Sequence, residues 1–199
     1  MKELYINSEP ELLELAFSLG KPIASRINSP LIDNLVPLRP DDAHKHSLSA
    51  NFGISQFPFH TDGAYFIKPP RYIILRYVQG VIEPTPTIFV NLEEIENIHK
   101  GRLKYPVWKV KSRTSTFYSS ILSDNDEIFR YDPCVMEPMN DKNNNKTYFE
   151  NLIMSLPKTV VDWSINKTII IDNWKNIHSR PEVKAEEINF RTIQRILIV

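Results

Sequence analysis

The chain has 199 residues, enough for one domain with a sizeable core, and 42% of them are hydrophobic, as in an ordinary globular protein. Its 24 Lys and Arg balance 24 Asp and Glu. A neutral total gives no long-range pull toward nucleic acid or an anionic membrane, so neither is expected as a partner.

Cys134 is the single cysteine, so the chain has no intrachain disulfide, which fits a reducing compartment. MKELYINSEPELLEL, at the start, carries acids where a secretory leader needs an apolar run. No stretch approaches the roughly 20 apolar residues of a membrane helix. A soluble, cytoplasmic protein is the expectation.

In chain order, Lys2 to Ile6 predicts a short strand. Ser8 stands three residues before Glu11, a capping box that opens a helix. Leu12, Leu15, Ala16 and Leu19 give it one apolar stripe, and Gly20 ends it. Pro30, Pro37, Pro40 and Pro58 keep the segment from Ile32 to Phe59 short and broken. Arg71 to Val78 (RYIILRYV) is the clearest strand, between Pro69-Pro70 and Gly80, and Thr87 to Val90 is another.

Asn91 predicts a cap for a turn or two of helix through Ile98, with Gly101 as the stop. Val107 to Val110, Thr114 to Leu122 and Glu127 to Tyr131 read as strands. Asn140 to Lys146 is a polar loop, and Thr147 to Leu156 has helical spacing in Tyr148, Leu152 and Ile153. Val160 to Ile165 and Thr168 to Asp172, joined by Asn166-Lys167, predict a hairpin. Ile193 to Val199 closes the chain as a strand. Many short strands and few helices, with no repeat or linker, predict a mainly β single domain over 1–199, a jelly roll with helices outside.

His60-Thr61-Asp62 is the first chemical candidate. On a strand, residues i and i+2 share a face, so an imidazole and a carboxylate can aim at one point. The triplet lies between Phe57-Pro58-Phe59 and Gly63-Ala64-Tyr65, where an unpaired Asp is costly and a metal removes the cost. A second histidine would complete the set that suits non-haem Fe(II). His178, His44, His46 and His99 compete for that place. Arg191 and Arg195, four apart on a β-rich segment, can face one side, and a buried Arg asks for an anion. Arg130 with Asp132 reads as a structural pair, with lining of the substrate pocket as the alternative, Asn51 and Gln56 as loop residues, and Trp108, Trp163 and Trp174 as core or rim. Residues 98–123 hold six Lys/Arg and no acid, a solvated face or a dock for an acidic carrier protein.

The blocks FPFHTDGAYFIKPPRYIIL and IIIDNWKNIHSR resemble the taurine dioxygenase and clavaminate synthase family of Fe(II)/2-oxoglutarate oxygenases, with the likeness running from about Leu48 to Val199. The resemblance implies a double-stranded β-helix and selects His178 as the third ligand, leaving His44, His46 and His99 as loop residues. It implies that His60, Asp62 and His178 hold Fe(II). Asp172 or Asn173 would orient His178 or close the turn. The first arginine after the distal histidine, Arg191, would grip the far carboxylate of 2-oxoglutarate as a planar fork. Arg195 would meet an anionic group of the substrate; the reverse order is the alternative. Thr87, 25 residues after Asp62, would help hold the same carboxylate, although Thr85-Pro86-Thr87 stands where Gly-Asp-Thr or Gly-Glu-Thr is usual.

The implied activity uses O2 and 2-oxoglutarate, releases succinate and carbon dioxide, and hydroxylates a C–H bond of a small anionic or amino-acid-like substrate. Desaturation or cyclisation draws on the same chemistry; halogenation is disfavoured because Asp62 fills the position that chloride needs. The chain is short for the family, so its lid is minimal or a partner subunit completes the pocket. The competing readings are a cupin-like metal enzyme without 2-oxoglutarate and a non-catalytic metal- or 2-oxoglutarate-binding protein.

Overall fold

A computed structural model describes residues 1–45, 47–112 and 115–199. His46, Arg113 and Thr114 lie outside the described residues. The elements run β1 (Lys2–Tyr5), α1 (Glu9–Leu19), β2 (Pro22–Ile23), β3 (Asp33–Leu35), α2 (Leu48–Phe52), β4 (Phe57–His60), β5 (Tyr72–Gln79), β6 (Thr87–Asn91) and α3 (Asn97–Lys104). They continue with β7 (Trp108–Lys111), β8 (Thr116–Ser119), β9 (Met136–Pro138), α4 (Asn145–Ser155), β10 (Thr159–Val161), β11 (Lys167–Asp172), β12 (Asn176–Arg180) and β13 (Thr192–Ile198).

The chain is mainly β. The larger sheet has the order β1-β11-β5-β13-β2, with β3 also on β13; a second runs β10-β6-β12-β4, and a third β8-β7-β9. The pairings are antiparallel. Alternation along the strands makes the layers. From β5, Ile73, Leu75 and Tyr77 face inward and meet Phe89 of β6 and Val161 of β10. From the same sheet Ile74, Ile196 and Ile198 face outward and take Leu12 and Ala16 of α1. Beyond the second sheet, Val90 and Ile177 pack on Trp108, Val110, Leu103 of α3 and Phe149 of α4.

The start of α1 follows the predicted cap. Ser8 Oγ accepts from Glu11 N, and Glu11 Oε2 accepts from Asn7 N. Three expectations are corrected. Val160 to Asp172 is no hairpin: β10 pairs with β6, whereas β11 pairs with β1 and β5. The turn exists, with Asn166 at φ 66°, but buried Trp163 pins the chain as it crosses between sheets. Gly101 does not stop a helix. Asn91 caps only a single turn, Leu92–Glu94, and a separate helix, α3, runs through Gly101 because fully buried Leu103 anchors its far end. Glu127 to Tyr131 is no strand and makes one isolated bridge, Leu122 to Phe129. Its remaining groups turn to irregular partners: Phe129 N donates to Trp174 O and Arg130 N to Ile121 O. Among the described residues no helix is long and apolar enough to cross a membrane.

Candidate metal centre

β4 ends at His60, whose cross-strand partner in β12 is His178. Directly opposed residues share a face, so the two rings stand side by side, 4.3 Å between centroids. Pro58 is tolerated in β4 because that strand is the edge of its sheet. Thr61 points away, with its N–H donating to Tyr131 O (2.6 Å) and its Oγ1 accepting from Tyr131 N (3.1 Å). Asp62 returns to the inner side just past the strand. Gly63 then turns at φ 68°, where an added Cβ would lie 2.8 Å from Phe66 and Pro70.

Asn173, fully buried, brackets the Asp62 backbone. Its Nδ2 donates to Asp62 O (3.0 Å) and Pro70 O (2.8 Å), and its Oδ1 accepts from Asp62 N (3.1 Å). It positions the Asp62 backbone rather than His178. Asp172 closes the turn before β12 by accepting from Trp174 N. Arg130 straps the next stretch through the carbonyls of Ala64, Phe66 and Ile67, and makes no pair with Asp132 among the described residues.

One ligand atom from each of His60, Asp62 and His178 lies within 4.8 Å of the others. His60 Nε2 is 3.9 Å from Asp62 Oδ1, and His178 Nε2 is 3.9 Å from Asp62 Oδ2. His60 Nδ1 donates to Pro58 O (3.0 Å), which assigns the proton to Nδ1 and leaves the Nε2 lone pair facing the cluster. Asp62 Oδ2 is buried without a hydrogen-bond partner among the described residues. A carboxylate oxygen left bare beside imidazole nitrogens is costly in a folded chain and fits a divalent metal. Burial, together with His60, drives His178 down to about 3, so it stays the neutral imidazole that a metal needs. Burial alone would raise the Asp62 carboxyl; Arg195, His178 and His60 outweigh it and hold the group below its ordinary value.

Arg195 reaches the same cluster. Its Nη1 donates to Asp62 Oδ1 (2.7 Å) and its Nη2 to Asp33 Oδ2 (2.9 Å), while Asp33 Oδ1 accepts from Ser25 Oγ. Burial opposes its charge, but Asp62 and Asp33 raise the guanidinium above its usual value.

Thr87 is buried on β6, two residues before Phe89, which is the other cross-strand partner of His178. Thr87 therefore shares the inner face with His178. Its Oγ1 accepts from Trp163 Nε1 (3.0 Å), and Trp163 stacks on Tyr77. Arg191 lies beside Tyr77 and Glu187, with Nη2 donating to Thr85 O (3.1 Å). Arg191 and Arg195 bracket the inward-facing Ile193, so both face the interior.

Three further acids surround the site. Asp33 and Glu187 sit in segments with no pattern, and only their partners in space, Arg195 and Arg191, give them meaning. Asp132 makes no structural pair with Arg130 among the described residues; it is buried near His60 and Asp62, with Oδ1 accepting from Cys134 N. Burial, with Asp62 adding to it, raises its carboxyl even though His60 acts the other way. The signal available was a charged pair inside the apolar run FRYDPC. Of the other histidines, His44 is exposed. His99 is half-buried in α3 against Tyr148 rather than in a loop.

No protein-family model matches the chain, and no curated protein does. Solved structures do. Asparagine oxygenase in complex with Fe(II), 2S,3S-3-hydroxyasparagine and succinate superposes with a TM-score of 0.75 at 17% identity, over 94% of this chain and 63% of that one. The non-heme iron oxygenase OrfP in complex with Fe and alpha-ketoglutaric acid gives 0.72 at 19% identity, over 96% and 64%. The chain thus shares the fold of these oxygenases and spans under two thirds of their length.

Proposed function

We propose that residues 1–199 form one Fe(II)- and 2-oxoglutarate-dependent oxygenase domain of the taurine dioxygenase and clavaminate synthase type, a double-stranded β-helix working in the cytoplasm. The observation that carries the reading is the His60–Asp62–His178 cluster with its bare carboxylate oxygen, set in a fold shared with non-heme iron oxygenases. His60 Nε2, Asp62 and His178 would hold the iron. With 2-oxoglutarate and dioxygen, the iron supplies oxidation of an unactivated C–H bond, with 2-oxoglutarate leaving as succinate and carbon dioxide.

The chain's own side chains prepare that chemistry. Asn173 fixes the Asp62 backbone, and Arg195 keeps its carboxylate ionised. Arg191 and Thr87 would bind the far carboxylate of 2-oxoglutarate, in a corner walled from water by Tyr77, Trp163 and Phe89. Arg195, Asp33 and Asp132 give the pocket both signs of charge, which favours an amino-acid-like substrate over a simple anion. Both solved relatives also carry an amino acid chemistry: hydroxyasparagine in one, hydroxy-arginine in the other. Hydroxylation is the expected outcome, and a carrier protein on the basic face of residues 98–123 would be the macromolecular partner.

An anaerobic titration tests the reading. Fe(II) followed by 2-oxoglutarate should produce a weak visible charge-transfer band that is lost in His178→Ala and Arg191→Ala. Metal binding with no band would favour the cupin-like enzyme or the non-catalytic binding protein and remove the roles given to the arginines. A chlorinated product from turnover with chloride would overturn the place given to Asp62.

A further inference from the structure

Glu187 is fully buried, yet nothing in a binding role has been asked of it. It closes the turn Ala185–Glu187, four residues before Arg191. Its Oε1 accepts two hydrogen bonds at 2.7 Å, from Thr85 N and from Thr85 Oγ1. Its Oε2 lies 3.3 Å from Arg191 Nε, an ion contact too poorly aligned for a hydrogen bond. Arg191 Nη2 closes the ring by donating to Thr85 O (3.1 Å). Lys184, just before that turn, donates from Nζ to Glu83 O (2.6 Å) and ties the same two segments again. A buried carboxylate is costly unless its partners are held for it, so this ring over-determines where the guanidinium sits.

We propose that Glu187 is a positioning residue for the 2-oxoglutarate site: it locks Arg191 and the Thr85–Thr87 segment into one arrangement that receives the distal carboxylate. The inference rests on the reading that Arg191 grips 2-oxoglutarate. With Nε turned toward Glu187 and Nη2 toward Thr85 O, the Nη1 edge has no hydrogen-bond partner among the described residues. That edge is left for a ligand. Thr85 lies two residues before Thr87, whose hydroxyl accepts from Trp163 Nε1, so anchoring Thr85 fixes the backbone from which Thr87 projects. Loss of the Glu187 charge would free the guanidinium to rotate and let the segment shift, and the cosubstrate would bear the ordering cost.

The test is calorimetric binding of 2-oxoglutarate to the anaerobic Fe(II)-loaded protein, comparing wild type, E187Q, R191A and the double variant. E187Q keeps the shape and an acceptor for Thr85 but removes the charge beside Arg191. The expected result is a dissociation constant raised about tenfold, with Fe(II) affinity unchanged, and no further effect of E187Q once Arg191 is gone. Thr85→Val, which removes one of the two Thr85 donors, should weaken binding about threefold and serves if E187Q fails to fold. Unchanged or tighter 2-oxoglutarate binding in these variants, with R191A still impaired, overturns the inference and leaves the proposed function standing. Unchanged binding in R191A itself overturns the assignment of Arg191, and Glu187 falls with it.

Discussion

On the outer face of the larger sheet, Ile74, Ile196 and Ile198 pack against Leu12 and Ala16 of α1. Most polar groups there find one another: Arg76 donates to Gln194 Oε1 and Asn166 Oδ1, and Gln194 donates to Glu9 Oε1, with Arg76 Nε alone of this set left without a hydrogen-bond partner among the described residues. On the inner face, the same strand β13 and the loop before it present Arg195 and Arg191 to Asp62 and Glu187. There the bonding stops short. Asp62 Oδ2, Glu187 Oε2, His178 Nδ1 and the Nε atoms of Arg191 and Arg195 are buried with no hydrogen-bond partner among the described residues. A folded chain tolerates such atoms at few places, and across this sheet they gather on the inner face, around the His60–Asp62–His178 cluster and Arg191.

That contrast can be broken from the inner side first. His178→Ala should lower Fe(II) affinity at least about 100-fold, because it removes a donor that nothing nearby replaces. At one Fe(II) concentration, the wild-type melting temperature should rise by mass action and the variant's far less. An equal rise in the variant would show that His178 is not a ligand.

Leu12→Ala, on the outer side, should cost about 2–5 kcal/mol of stability through the cavity it leaves. Its Fe(II) affinity, measured below the melting transition, should match wild type. A fall in affinity would mean that the two faces are coupled.

Asn173→Ala falls between the two faces. It strands the Asp62 N–H and carbonyl, for about 1–3 kcal/mol in urea unfolding. It also loosens the Asp62 carboxylate, for an expected loss of about 10- to 100-fold in Fe(II) affinity. An effect on only one of these scales would assign the residue to one role. Ile82→Ser sets the floor. Its side chain is 94% exposed, and the change should stay within about 0.5 kcal/mol, with both ligand affinities unmoved.

Legibility differed by element. β5 and α1 were readable because their signals are local: an unbroken β-rich run between Pro69-Pro70 and Gly80, and a Ser8–Glu11 cap ahead of one apolar stripe. The β10–β11 hairpin misread a local turn as a local pairing. Asn166 does turn the chain, but each strand finds its partner in a different sheet. Gly101 misled for a similar reason: burial of Leu103 outweighs the cost of glycine inside α3. At the site, His60, Asp62 and His178 were legible because ligand chemistry limits which residue types serve and a familiar sequence frames them. Asn173, Asp33 and Glu187 were not, since their roles depend on what they face.

The sequence alone determined the mainly β character, the apolar stripe of α1, and the presence of two histidines and an aspartate suited to one metal. Propensity, spacing and ligand chemistry are properties of neighbouring residues, so they survive without coordinates. Tertiary structure alone decided that His178 lies opposite His60, that Asn173 grips the backbone of Asp62 across 111 positions of chain, and that Glu187 and Thr85 meet around Arg191. Those are contacts between distant segments, and the register of a sheet, which no short stretch of chain encodes, is what brings them together.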